Sequence, residues 1–151
     1  MEAWRLCPDA KRTEYEVVTY EDTTLETKKE LIQLPADGEL GWLFVTDGVM
    51  LYYNKRALYS DLLPDNPDQP PTISTDALRP FLAICGPVIF VGFDEKGNEV
   101  GLSQDHFDAI IKHIPGQIAI ESLGRSVPYF SMEEREISED EIMENDKEFL
   151  L

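Results

Sequence analysis

The chain has 151 residues, 42% of them hydrophobic and 10% aromatic, so it is long enough to bury the core of one domain and too apolar for wholesale disorder. Its 30 Asp and Glu residues outnumber 13 Lys and Arg residues, which gives a formal net charge of −17 at pH 7. This excess argues against direct binding to nucleic acid or to anionic membranes, because both depend on cationic side chains that neutralise phosphates.

The sequence pattern in the first half of the chain predicts a strand, a short helix and a hairpin. Alternation and β-branched residues over 13–22 predict a half-buried first strand. A threonine cap and a short amphipathic pattern predict a helix over 24–32. The Asp47-Gly48 pair then separates two apolar runs, 40–45 and 49–53, and an Asp-Gly pair in that setting predicts a β-hairpin.

The middle of the chain is less regular. Four prolines within residues 64–71 predict an exposed loop and argue against both helix and central strand. The apolar run over 84–93 predicts a strand that is buried on both faces and lies at the centre of the sheet. A turn over 94–98 and a short partner strand over 99–102 follow.

The clearest helix begins at Ser103, a good N-cap residue that is followed by an acidic first turn. Its apolar positions form one stripe: Phe107, Ile110, Ile111 and Ile114. Pro115-Gly116 ends this helix, residues 117–123 predict one more strand, and residues 124–130 predict a loop. These elements predict a single α+β domain over 1–130, with a mixed or largely antiparallel sheet and two or three helices.

Residues 131–151 form an acidic tail with nine Asp and Glu against two Lys and Arg, a net charge of −7. Ser138 and Glu141 have the spacing of a capping box, which predicts an acidic C-terminal helix with a narrow apolar stripe. Such a tail either serves solubility or acts as a recognition element in which carboxylates stand in for phosphates. In the second interpretation, the partner-binding residues are Glu133, Glu134, Glu136, Glu139, Asp140, Glu141 and Glu144.

No catalytic or metal-binding motif is present in the sequence: it lacks a phosphate loop, a GxGxxG turn, an HExxH pair and a GxSxG elbow. His106 and His113 lie seven positions apart on the predicted helix, about 10 Å along its axis, too far for one metal ion. They are interpreted as exposed helix-surface residues. Cys85 has no nearby histidine to activate it. We therefore predict a non-enzymatic protein without metal or cofactor.

A small cationic and aromatic patch follows the predicted hairpin. If its side chains share a face, they could bind an anionic ligand; otherwise the cations pair with local carboxylates. The candidate ligand corner consists of Tyr52, Tyr53, Asn54, Lys55 and Arg56.

The start of the chain and its cysteines favour the cytoplasm. The residues after Met1 lack the apolar run of a signal peptide, and no later run approaches the ~18 apolar residues of a membrane span. Cys7 and Cys85 are far apart and form no CxxC pair, which is typical of reduced thiols. We expect a cytoplasmic protein, in the host cytoplasm if a phage encodes it.

Three segments carry a family resemblance: Asp47-Gly48 through Tyr53-Asn54-Lys55-Arg56-Ala57, the glycine-led apolar strand over 86–92, and the acidic turn over 94–103 before the amphipathic helix. Over roughly residues 13–114, this pattern resembles a small uncharacterised domain of phages and conjugative elements. The proline-rich segment and the acidic tail depart from it. The resemblance implies no activity but a setting, the accessory genes of mobile elements, whose small acidic products often obstruct host nucleic-acid enzymes.

Charge and resemblance together lead to one main hypothesis. The protein would be an anti-defence inhibitor that acts as a DNA mimic and occupies the phosphate-binding groove of a basic host protein, such as a restriction or CRISPR effector. Two alternatives remain open. One is a small-molecule or nucleotide-binding domain, or an enzyme with an unrecognised site, at the candidate ligand corner. The other is an immunity-type partner of a toxin nuclease.

Overall fold

Two β-sheets and two helices build the protein in a computed structural model, which describes residues 1–9, 12–60, 62, 67, 69–75, 83–114 and 116–130. The larger sheet contains β1 (Glu2–Pro8), β2 (Thr13–Thr19), β3 (Leu40–Thr46), β4 (Val49–Asn54), β8 (Val88–Phe93) and β9 (Glu99–Val100). The smaller sheet contains β5 (Leu58–Tyr59), β6 (Pro71–Thr75), β7 (Ala83–Cys85), β10 (Gly116–Ile120) and β11 (Arg125–Phe130). The helices are α1 (Leu25–Leu31) and α2 (Gln104–Lys112).

The larger sheet has the strand order β2-β1-β8-β4-β3, with β9 also paired to β8, and every pair is antiparallel. The smaller sheet has the order β10-β11-β6-β7-β5, and its β11–β6 pair is parallel. The predicted single α+β domain with a largely antiparallel, mixed architecture is therefore confirmed. No helix in the described part of the chain is both long enough and apolar enough to span a membrane.

The two faces of the larger sheet are covered by different elements. On one face, α1 and the residue that follows it, Ile32, pack against Ile89 and Val91 of β8. On the opposite face, Phe90 of β8 belongs to a cluster that also contains residues of α2 and of the smaller sheet. The larger sheet is therefore the middle layer, and burial on both sides explains the unbroken apolar run of β8.

The predictions that depend on neighbouring residues, the helix caps and the hairpin turn, are confirmed. Thr24 and Ser103 cap α1 and α2, and the Asp47-Gly48 turn joins β3 to β4 with Gly48 at φ +78°. β8 lies between β1 and β4, as expected for the central strand. The apolar run over 84–93 is interrupted at Gly86, where φ is +76°, so its first part belongs to β7 in the other sheet.

Three strand assignments differ from the sequence-based expectations. β1 was not predicted: its buried residues, Ala3 and Leu6, point to opposite faces, so it lacks the alternation of a half-buried strand. β6 begins at Pro71 and is a central strand, because a proline is tolerated as the first residue of a strand. β11 replaces the loop expected over 124–130, since pairing with β10 and β6 outweighs the turn signals of Gly124 and Pro128.

Two expectations fall on residues that the structure does not describe. Residues 64–66 and 68 of the proline-rich segment over 64–71 lie outside the described residues, and so does the whole acidic tail over 131–151, with its predicted helix.

Candidate functional site

Exposed carboxylates gather at one end of the larger sheet. The start of β1, the end of β8 and the β3–β4 turn meet here, because the amide of Phe93 donates to the carbonyl of Gly48 (2.7 Å) and the amide of Leu102 donates to that of Glu2 (2.9 Å). The β2–α1 connection and the start of α2 lie at the same end. Seven exposed carboxylates surround this point, and we call them the acidic end: Glu2, Glu21, Asp22, Asp47, Asp94, Glu95 and Asp105.

Hydrogen bonds within the turns hold parts of the acidic end in place. Asp94 Oδ1 accepts hydrogen bonds from the amides of Lys96 and Asn98, each at 2.9 Å. At the start of α2, the His106 amide donates to Ser103 Oγ (3.3 Å) and the Ser103 amide donates to His106 Nδ1 (3.0 Å). Because Nδ1 is an acceptor here, the proton of a neutral His106 ring is on Nε2. The carboxylates thus project from short, hydrogen-bonded turns.

Cationic side chains lie mainly at the opposite end of the sheet, beside carboxylates. Arg12 pairs with Glu14 at 2.8 Å, and Lys55 and Arg56 approach Glu39 at 4.0 and 3.7 Å. Among the described residues at the acidic end, the cations are Lys28, which is fully buried, Lys96, and the N-terminal ammonium of Met1, which donates to the carbonyl of Tyr20 at 2.9 Å. The larger sheet therefore has an electrostatic polarity along its strands, with the excess of negative charge at one end.

Lys28 is held in the core by an ion pair that no local pattern in the sequence predicts. Its Nζ lies 2.5 Å from Glu99 Oε1, donates to Glu99 Oε2 at 2.6 Å, and donates to the carbonyl of Thr23 at 2.8 Å. The rings of Tyr20 and Tyr52 have their centroids 5.4 and 5.9 Å from the same atom. Together these contacts fasten α1 to the larger sheet at β9.

The Tyr20 hydroxyl completes this buried cluster. Burial first, and then the nearby Glu99 carboxylate, raise the pKa of Tyr20 far above its ordinary value, so the hydroxyl stays neutral. The hydroxyl makes no hydrogen bond of standard geometry with the described residues, although Glu99 is close enough to affect its charge. The cluster is closed to solvent, because Lys28 is fully buried and Tyr20 is 6% exposed.

The structure separates the members of the candidate ligand corner. Tyr52 and Tyr53 are both buried and, as neighbours in β4, point to opposite faces of the sheet. Asn54 Oδ1 accepts hydrogen bonds from the amides of Glu39 (3.1 Å) and Arg56 (3.0 Å), so it serves the local backbone. Lys55 lies over the Trp42 ring at 5.9 Å, and both cations approach Glu39. The two tyrosines and two cations do not share one surface.

His113 was expected on an exposed helix surface, and this expectation is wrong. His113 is 6% exposed at the C-cap of α2, and its ring packs at 5.5 Å from the ring of Phe130. The burial comes from β11, a strand that the sequence did not indicate. Both cysteines are free thiols, with Cys85 fully buried and Cys7 half-buried.

The partner-binding residues predicted in the acidic tail lie outside the described residues. They are Glu133, Glu134, Glu136, Glu139, Asp140, Glu141 and Glu144. Within the described ranges, no group of three or more His, Cys, Asp or Glu side chains is arranged to hold a metal ion.

Buried Tyr53 and Cys85 make the fold sensitive to alkali. Burial raises the pKa of each to about 12, from ordinary values of 10.0 for tyrosine and 9.0 for cysteine. Between the unfolded and folded pKa values, the unfolded chain ionises these two groups while the folded chain keeps them neutral. The stability that their burial contributes is therefore full below the unfolded pKa values and is lost as pH rises toward 12. Above its unfolded pKa, each group should lower the free energy of unfolding by up to about 1.4 kcal/mol per pH unit.

Urea unfolding at a series of pH values checks this expectation. Tyr53→Phe removes one titrating group, so the decline above the unfolded tyrosine pKa should be shallower than in the unchanged protein. At neutral pH, the two proteins should show the same, nearly flat dependence. A decline that is equally steep in both would contradict the assignment to Tyr53.

Comparison of the chain with protein-family models, with curated proteins and with solved structures gives no match.

Proposed function

We propose that the protein is a non-enzymatic acidic binding protein that inhibits a basic nucleic-acid-binding protein by occupying its phosphate-binding groove. The polarity of the larger sheet carries this proposal. Seven exposed carboxylates surround one end, while the described cations there are Lys28, which is buried, Lys96, and the N-terminal ammonium of Met1. A basic groove that meets this end encounters a concentrated negative surface with little opposing charge.

The chemistry of the carboxylates supports the mimicry. Like phosphate oxygens, they accept charge-assisted hydrogen bonds from Arg and Lys and are recognised by the same side chains. Short turns at strand ends already hold Asp94 in place, so less ordering entropy is lost on binding than for a disordered acidic chain. The net charge of −17 would also steer a basic partner toward the protein over distances of about a Debye length, ~8 Å at physiological ionic strength.

The acidic tail would add to the proposed binding charge. Its seven predicted partner-binding carboxylates, from Glu133 to Glu144, would serve as further phosphate stand-ins. The setting implied by the family resemblance is a phage or mobile element acting in the host cytoplasm, with a restriction or CRISPR effector as partner. A toxin nuclease neutralised by an immunity-type protein would present the same kind of basic groove, and the identity of the captured protein distinguishes the two.

The test uses the immobilised full chain to capture proteins from a lysate of the natural host. We expect a nucleic-acid-binding protein that elutes with increasing NaCl and that duplex DNA displaces, because DNA and the inhibitor compete for one groove. The purified partner should then lose its nuclease or DNA-binding activity in proportion to added inhibitor. A captured complex that neither salt nor duplex DNA weakens would contradict the proposal.

Matched charge variants locate the contact surface. The first replaces four carboxylates of the acidic end: Glu2→Gln, Glu21→Gln, Glu95→Gln and Asp105→Asn. A control removes the same charge elsewhere: Glu30→Gln, Asp37→Asn, Glu39→Gln and Glu121→Gln. We expect the first set to weaken binding at least about tenfold and the control set to weaken it much less. Both variants lose the same long-range attraction to a basic partner, but the first set alone also loses direct contacts. Equal losses of affinity in the two variants would show that the acidic end does not contact the partner. Amide replacements in the acidic tail measure how much the tail contributes to binding.

A further inference from the structure

The outer edge of β2 is an unpaired sheet edge within the described residues. Met1 and Tyr20 exchange two hydrogen bonds of 2.9 Å across the β1–β2 pair, and the amide of Asp9 donates to the carbonyl of Arg12. Hydrogen-bonded pairs alternate along an antiparallel ladder, so the even-numbered residues of β2 face β1. The amides and carbonyls of Tyr15, Val17 and Thr19 therefore point outward, where a further strand could pair, whereas Thr13 is buried.

Exposed apolar side chains accompany this edge. Tyr15 and Val17 share one face of β2 and are 47% and 54% exposed. Tyr15 stacks on Trp4 with ring centroids 5.2 Å apart, and Trp4 contacts Phe107 of α2 at 5.7 Å. Within β2, no proline, lysine or bulge blocks the approach of another strand, although these are the usual protections of an open edge.

We propose that this edge pairs with the β2 edge of a second copy of the chain, antiparallel, with Val17 opposite Val17. In this register, Tyr15 lies opposite Thr19 and Glu16 lies opposite Val18, so no carboxylate directly faces another. Beyond the strand ends, Arg12 of each copy is level with Asp22 of the other. The Arg12 side chain is 76% exposed: its Nε pairs with Glu14 of the same copy at 2.8 Å, and the guanidinium has further N–H donors for Asp22 of the other copy.

The neighbouring two-fold registers are electrostatically worse. A pairing centred on Glu16 sets Glu16 against Glu16, one centred on Tyr15 sets Glu14 against Glu16, and one centred on Val18 sets Glu14 against Asp22. Like charges directly opposite each other destabilise a strand pair. In the register centred on Val17, each Glu16 also keeps its own cation, Arg5, at 2.5 Å. The charges along β2 thus favour a second copy of the chain, paired in the register centred on Val17. This dimer goes beyond the proposed function, because it would join two acidic surfaces.

Sedimentation velocity of the full chain over a wide concentration range tests the dimer at physiological ionic strength. We expect a reversible monomer–dimer equilibrium. Val17→Asp places two carboxylates opposite each other and should weaken dimerisation at least about tenfold. The matched control is Phe44→Asp, which adds the same charge at a 45% exposed residue of β3, the other edge strand of the same sheet. It should leave the dimer intact.

A charge exchange tests the register without touching the apolar face. Arg12→Asp and Asp22→Arg should each weaken the dimer, and the double variant should restore it, because each end of the interface again pairs opposite charges. A chain that stays monomeric at all concentrations would overturn the proposal, as would a dimer that withstands Val17→Asp or is broken by Phe44→Asp. The dimer should persist at higher salt while a complex with a basic partner weakens, so the two proposals can fail separately.

Discussion

Replacing Lys28 with methionine is expected to lower the free energy of unfolding by about 3–5 kcal/mol, the cost of breaking a buried ion pair from one side. The loss arises mainly from the partner that remains. Glu99, whose side chain is 8% exposed, would keep its charge in the core without the ammonium 2.5 Å away. Methionine fills a similar volume, so a cavity contributes little to this change. Urea unfolding at neutral pH measures the effect.

Lys29→Met is the matched control, because the same substitution is made one position later on the same helix. Lys29 is 41% exposed and pairs with Glu26 at 3.0 Å on the helix surface, so we expect a change within about 0.5 kcal/mol. The double variant Lys28→Met with Glu99→Leu should recover much of the loss, since both charges then leave the core. Similar losses for Lys28→Met and Lys29→Met would refute the role of the buried pair.

Ile110→Ala in α2 should lower the free energy of unfolding by about 2–5 kcal/mol, the range for truncating a fully buried branched side chain. Ile110 is completely buried in the cluster formed by the larger sheet, the smaller sheet and α2. The loss combines the transfer free energy of the deleted carbons with a cavity that three surrounding elements cannot easily close.

Ile111→Ala provides the control, with the same chemical change at the next position. Ile111 is 56% exposed, so the truncation removes little buried area and should change stability by less than about 0.5 kcal/mol. Guanidinium unfolding followed by circular dichroism compares the two. Equal losses would show that the apolar stripe of α2 is buried over its full width, as its periodicity alone suggests.

The contrast between Ile110 and Ile111 shows how far the sequence predicted the packing. Periodicity identified the apolar stripe of α2 correctly, but both isoleucines fit the same stripe. Which of them is buried depends on how the smaller sheet lies against the helix, and that sheet includes β11, which was predicted as a loop. His113 was misjudged for the same reason, because Phe130 of β11 covers it.

The candidate site was predictable only in its chemistry. Net charge indicated a surface suited to a basic partner, but it did not indicate where the body's carboxylates gather. The acidic end brings together residues from Glu2 to Asp105 because the start of β1, the end of β8, the β3–β4 turn, the β2–α1 connection and the start of α2 lie there. The candidate ligand corner fails to share a surface for an equally simple reason: Tyr52 and Tyr53 are consecutive strand residues and must face opposite sides.

The charge, the α+β class, the caps of both helices, the Asp47-Gly48 hairpin and the buried central strand could all be predicted from the amino-acid sequence. Each of these depends on composition or on residues within a few positions of one another. Three features depend on the three-dimensional fold: Lys28 pairs with Glu99, 71 positions away, β2 is an edge strand among the described residues, and negative charge collects at one end of the larger sheet. These features arise from strand order and layer packing, which bring distant segments together. The local sequence of one segment does not indicate which distant segment it will contact.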